Sequence, residues 1–425
     1  MKLHIKNGHV IDPKNKIDAK LDVFIIDGKI AAIGKAPTGF VATQTIDAKG
    51  LIVAPGFVDL SARLREPGSE YKATLKSELQ AAAAGGVTSL ACPPDTEPVL
   101  DEPGLIEMLK LRARRINLAR IYPLGALTQQ LAGKALTEMC QLAEAGCVGF
   151  TQADKAIVDT QVLWRAFEYA ATFGYTLFLR AEEPFLAQNG VAHDGEVASR
   201  LGLKGIPAAA ESLALSAILR IASETSTKIH ICRLSTAEGV NLIKEAKQQG
   251  ITVTADVSIN HLHLSEHDIG YFNAQAHLKP PLRTLRDREA LCQGLKNGTL
   301  DAICSDHTPV DDDAKLVPFA EAEAGATGLE LLLPLTLKWA SSHKATLSEA
   351  IAKISCKPAS ILGITSGHLN VGANADLAIF DPEHAWKVDV RQLKSQGKNT
   401  PYSGLEMAGK VHYTLLNGQI TYQNC

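Results

Sequence analysis

Eight apolar, strand-like runs separated by helical segments dominate the middle of this chain. The runs are LIVAPGFVDLSAR, GVTSLACPP, ARIYPLGAL, CVGFTQ, YTLFLRAE, KIHICRLS, ITVTADVS and DAICSDH. Between them lie stretches such as TLKSELQAAAAGG, DTQVLWRAFEYAATFG and TAEGVNLIKEAKQQG. Continuous apolar strands alternating with helices predict a parallel sheet covered on its outside, and eight repeats predict an α/β (β/α)8 TIM barrel. Both ends of the chain are patterned differently. LHIKNGHVID, DVFIIDGKIAAIG and TQTIDAKG at the start, and GHLNVGANADLAIFDP and GKVHYTLLNGQITYQ at the end, cluster β-formers and break at Asn-Gly and Asp-Gly. The reading is a barrel over residues 53–364 beside a small composite β-sandwich from residues 1–52 and 365–425. A length of 425 residues accommodates both.

Composition excludes several classes of function. A net charge of −3 with scattered basic residues gives no reason to expect nucleic acid or an acidic membrane as partner. No apolar stretch reaches the length of a membrane span, and the first residues, MKLHIKNGHVIDPKNK, do not read as a signal peptide. The eight cysteines are dispersed without a C-x-x-C pair, which predicts free thiols in a reducing cytoplasm.

In a barrel of this type chemistry sits at the carboxyl ends of the strands. The residues there are Ser61-Ala62-Arg63, Pro94-Asp95, Gln152-Ala153, Arg180, Arg233 and Ser305-Asp306-His307. Several flanking motifs are specific. Ala54-Pro55-Gly56-Phe57-Val58-Asp59-Leu60 followed by Leu64-Arg65-Glu66-Pro67-Gly68 resembles the first-strand signature of dihydroorotase and its relatives in the amidohydrolase superfamily. Ala83-Ala84-Gly85-Gly86-Val87-Thr88, Lys279-Pro280-Pro281-Leu282-Arg283 and Gly325-Ala326-Thr327-Gly328-Leu329-Glu330 also resemble that family, as do Lys398-Asn399-Thr400-Pro401 and Gly409-Lys410-Val411 in the tail.

The resemblance implies a binuclear zinc site in working members: a His-x-His pair on strand one, a bridging carboxylate or carboxylated lysine on strand four, a histidine each on strands five and six, and an aspartate on strand eight. Two close dications need neutral imidazoles and anionic oxygens to replace their water. They acidify a bridging water whose proton passes to that aspartate. Here the pair falls on Ser61 and Arg63, the strand-four position on Gln152 or Ala153, and the two histidine positions on Arg180 and Arg233. Asp306 alone matches. Arginine stays protonated and offers no lone pair, so the sequence predicts that zinc is absent and that no residue is catalytic, Asp306 being vestigial.

Arg65 matches the family's carboxylate-gripping arginine, a vestigial substrate contact. Two asparagines of the family are Asp95 and Lys279 here. Arg63, Arg180 and Arg233 would either pair with Asp306, with Glu182 as a second anion, or extend to solvent. A rebuilt mononuclear site would have to draw on His230, His261, His263, His307 or Lys155.

Inactive homologues in the family bind aspartate transcarbamoylase. The resemblance therefore implies a non-catalytic subunit of an oligomer containing the aspartate transcarbamoylase catalytic chain, in pyrimidine biosynthesis. The alternatives are an active dihydroorotase or related cyclic amide hydrolase with an atypical or single metal, and a module binding an anion among the arginines.

Overall fold

The structure is a computed structural model describing residues 1–424. Eight parallel strands form the barrel: β1 (Phe57–Asp59), β2 (Val87–Cys92), β3 (Arg120–Ala126), β4 (Gly149–Thr151), β5 (Thr176–Leu179), β6 (Lys228–Ile231), β7 (Val253–Ser258) and β8 (Ala302–Cys304). They pair in sequence order from β1 to β8. The seam between β8 and β1 is closed differently. Asp59 accepts the backbone N–H of Ser305 at 2.7 Å, and one residue pair beyond the strands, Ala62 with His307, forms a parallel bridge. Burial raises the Asp59 carboxyl to about 6 despite the Ser305 hydrogen bonds.

Helices Leu75–Ala84, Thr160–Phe173 and Ala237–Gln248 lie where the sequence places them. Each begins at a side-chain cap: Thr74, Asp159 and Thr236 accept backbone N–H groups that would otherwise lack partners. Their apolar faces cover the barrel's outside in one large core that includes Leu79, Phe167 and Ile243. Val58, Leu124, Phe178 and Cys304 fill a separate, smaller core.

The chain ends form two sheets. One, of four strands, is ordered Lys29–Ile33, Val23–Ile26, Lys2–Lys6, Gln44–Asp47. The other, of six, is ordered Gln419–Gln423, Glu406–Leu416, Leu377–Lys387, Ile52–Pro55, His9–Asp12, Ile17–Lys20. Leu3, Ile5 and Ile25 from the first meet Val10, Val53, Leu377 and Ile379 from the second in one core.

The central strands of the six-stranded sheet are buried on their other face as well. Ile11, Ile52, Ala54, Ala378 and Phe380, the alternate residues, belong to the barrel's outer core, where Phe380 meets Phe57. A strand covered on both faces is apolar at every position. That is why LIVAPGFVDLSAR reads as one strand while the structure divides it at Gly56. Ile52–Pro55 joins the outer sheet and Phe57–Asp59 the barrel. A Cβ on Gly56 would lie 2.2 Å from Thr88 Oγ1, so only glycine fits the crossing.

The described cysteines are all free, and Cys425 lies outside the described residues. Among those residues no helix is long and apolar enough to cross a membrane.

Candidate functional site

The barrel mouth holds a cluster of buried and half-buried charges, organised by one carboxylate. Asp154, just past β4, contacts all three arginines. Its Oδ2 accepts from Arg63 Nη2 at 2.7 Å, its Oδ1 lies 2.9 Å from Arg180 Nε, and Oδ1 also accepts from Arg233 Nη2. The Arg180 Nε contact is a charge contact only, since that N–H is not aligned with a hydrogen-bond acceptor.

Each arginine has further partners. Arg63 Nε donates to Asp95 at 2.7 Å and its Nη1 to Thr308 Oγ1 at 3.2 Å. Arg180 grips Glu182 with both terminal nitrogens, at 2.7 and 2.5 Å. Arg233 Nη1 donates to Asp306 at 3.1 Å, and Arg63 Nη1 is 4.0 Å from the same oxygen. Lys279 reaches Glu182 at 3.6 Å.

Four cations (Arg63, Arg180, Arg233, Lys279) thus face four carboxylates (Asp95, Asp154, Glu182, Asp306), and the formal charges cancel. The three arginine side chains are 4–6% exposed. Burying an ion costs several kcal/mol, whereas one contact at 4 Å returns about 4 kcal/mol at an effective dielectric near 20. Several partners per ion are therefore needed, and Asp154 has three arginines.

The two central carboxyls respond oppositely. Burial alone would raise Asp154, but Arg233, Arg63 and Arg180 together drive it well below the ordinary carboxylate value. At Asp306 burial wins: Arg233 and Arg63 offset it only in part, Asp154 adds repulsion, and the carboxyl is raised.

The backbone turns where these residues emerge. Arg65, Ala153, Arg233 and Asp306 have φ of 63°, 51°, 53° and 51°, a region costly for side-chain-bearing residues. At Arg233 the turn is held from beneath. Asp256 accepts the Arg233 backbone N–H at 2.6 Å, and His230 Nε2 lies 2.9 Å from the other oxygen of Asp256.

Of the positions singled out in the sequence, Arg63, Arg180, Arg233 and Asp306 meet at the mouth. Of the two alternatives left open for the arginines, the structure shows pairing and not extension to solvent, with Asp306 bonded by Arg233 alone: Arg63 stays 4.0 Å from it, and Arg180 turns to Glu182 and Asp154. Gln152 and Ala153, the two choices for strand four, supply nothing to the cluster. Gln152 hydrogen-bonds Thr128 at 2.9 Å, and Ala153 packs with Ala126 and Leu131. Because Ala153 takes a left-handed turn, the contributing residue is Asp154, which the sequence reading missed. The missing signal was stoichiometric: three buried arginines need more anions than Asp306 and Glu182.

Ser61 is half-buried, its carbonyl accepting from the His307 N–H at 3.0 Å. Arg65 Nε donates to the Pro309 carbonyl at 2.8 Å. Asp95 pairs with Arg63 instead of opposing an incoming anion.

The histidines do not converge. His261 bonds the Pro281 carbonyl and His263 the Leu335 carbonyl, and burial lowers both to about 4. His307 pairs with buried Glu78 at 2.6 Å, and both ring nitrogens of His230 are engaged, by Thr254 and Asp256. Lys155 is exposed.

Comparisons with known proteins agree with the fold at the level of family. The dihydro-orotase-like family profile matches residues 50–239, and that of the amidohydrolase family matches residues 193–421. A "Dihydroorotase-like protein" of Pseudomonas aeruginosa is 43% identical over 423 residues, covering 100% of both chains. A "Dihydroorotase" of Geobacter sp. (strain M21) is 40% identical over 423 residues, again covering 100% of both. In structure, the L-hydantoinase (dihydropyrimidinase) from Arthrobacter aurescens superposes with a TM-score of 0.89 at 25% identity, over 98% of this chain and 95% of its own. On profile, full-length identity and barrel alike, the chain belongs to the dihydroorotase-like family of amidohydrolases.

Proposed function

We propose that this chain is a non-hydrolytic dihydroorotase homologue, holding no zinc at its barrel mouth and serving as a structural subunit for aspartate transcarbamoylase in pyrimidine biosynthesis. The observation that carries the reading is the cluster around Asp154. The residues present do not fit a two-zinc centre. Guanidinium groups have no lone pair for a metal, and the four carboxylates at the mouth, Asp95, Asp154, Glu182 and Asp306, are each bonded to an arginine. The same pairing weighs against an anion-binding role, because the arginines are already matched by carboxylates.

An assembly role finds support in an apolar surface beside the mouth. Val158, Phe185 and Leu213 are exposed around a cavity of about 270 Å³, and such patches mark contact surfaces. The partner itself rests on the family resemblance.

Relatives named dihydroorotase at 40% identity favour a second reading, an active cyclic amide hydrolase with an atypical or single metal. Metal analysis with a dihydroorotate assay decides between them. The first reading expects no turnover and no zinc that Asp306→Ala removes; turnover with mouth-bound zinc overturns it. Co-expression with aspartate transcarbamoylase from the same organism, followed by size measurement, tests the assembly. A joint complex is expected, and separate elution counts against the scaffold role.

A further inference from the structure

The strand pair Leu377–Lys387 and Glu406–Leu416 loses register twice. Ile379 faces Tyr413 and Phe380 faces Val411, so His412 is an extra residue on its strand. Asp381 faces Lys410 and Ala385 faces Ala408, so Pro382, Glu383 and His384 stand against Gly409 alone. Bulges of this kind re-aim side chains. Together they gather Asp381, His384 and His412, with one ligand atom from each within 4.8 Å of the others.

Three details distinguish this trio. His412 Nε2 is shielded from solvent and has no hydrogen-bond partner. Asp381 Oδ1 accepts the Glu383 and His384 N–H groups at 2.9 and 3.2 Å, which fixes the carboxylate. Lys410, directly across from Asp381, places its ammonium over the Trp386 ring at 3.9 Å. The other close trio, His230, Cys232 and Asp256, differs because both His230 nitrogens are occupied.

We propose that Asp381, His384 and His412 form a binding site for a divalent transition metal of the zinc class, with solvent completing the coordination. Two imidazoles and one carboxylate suit such ions. Tetrahedral zinc with bonds of about 2.0 Å spaces its ligands by about 3.3 Å, and His384, which is exposed, is the ligand that adjusts to that spacing. The metal would pin the irregular strand pair in place, a role separate from the barrel mouth.

The test is calorimetric titration of Zn(II) into metal-stripped full-length protein. One saturable site is expected, weakened at least tenfold in His384→Ala and in His412→Ala and unchanged in Cys232→Ser. Zinc should raise the thermal midpoint of the parent and not of His384→Ala. No binding, or binding in both histidine variants as tight as in the parent, overturns the proposal, as does loss in Cys232→Ser alone. Because His384 is exposed, its replacement leaves the fold intact. Zinc that persists in His384→Ala but disappears in Asp306→Ala would overturn the proposal and break the reading of the barrel mouth as well.

Discussion

The barrel mouth and the outer sandwich solve the problem of burial by opposite means. The sandwich core is aliphatic, built from Leu3, Ile5, Ile25, Val53 and Ile379 in regular alternation. The mouth buries arginines and carboxylates on strand ends that turn through left-handed backbone. Apolar burial is non-directional, and each side chain adds its share nearly independently. A buried ion is stable only while its partners remain, so the loss of one carboxylate strands several charges together.

The largest effect should therefore follow Asp154→Ala. Three guanidinium groups lose a shared partner, and unfolding free energy should fall by about 3–5 kcal/mol, measured by denaturant titration. A loss no larger than that of a single methylene would show that Asp154 does not tie the mouth together.

Asp306→Asn should cost less, about 1–2 kcal/mol, because burial already disfavours its charge. The acid limb of stability sharpens this contrast. Asp154 is depressed in the folded state, so its contribution is complete above the unfolded value of about 3.9 and is lost as pH falls below it. Asp306 is raised, so it works in the opposite sense: its ionisation costs stability above its folded value, and protonation relieves that cost. Asp306→Asn should flatten no acid transition, whereas Asp154→Asn should flatten the one below about pH 4.

In the sandwich, Ile25→Val should cost about 0.5–1.5 kcal/mol, the same at pH 5 and pH 7. A pH-dependent cost would mean that the two regions are coupled. Smallest of all, Arg165→Ala removes an exposed i, i+3 pair with Glu168 and should leave the denaturant midpoint unchanged.

Periodicity made the barrel legible, since apolar runs and helix caps are local signals. The positions of Arg63, Arg180, Arg233 and Asp306 followed from where those runs end. Asp154 was hidden because one left-handed residue, Ala153, shifts which side chain faces the mouth, and nothing local in Gln152-Ala153-Asp154 marks that turn. The division at Gly56 was hidden for a different reason: both halves of the run are fully buried, so no polar residue separates outer strand from barrel strand.

The six-stranded sheet serves as a party wall, finished on both sides. Its middle strands back both rooms at once, so cutting either room away would leave the other with an uncovered apolar face. Substitutions can rework the mouth while this wall holds, because the two are built from different residues.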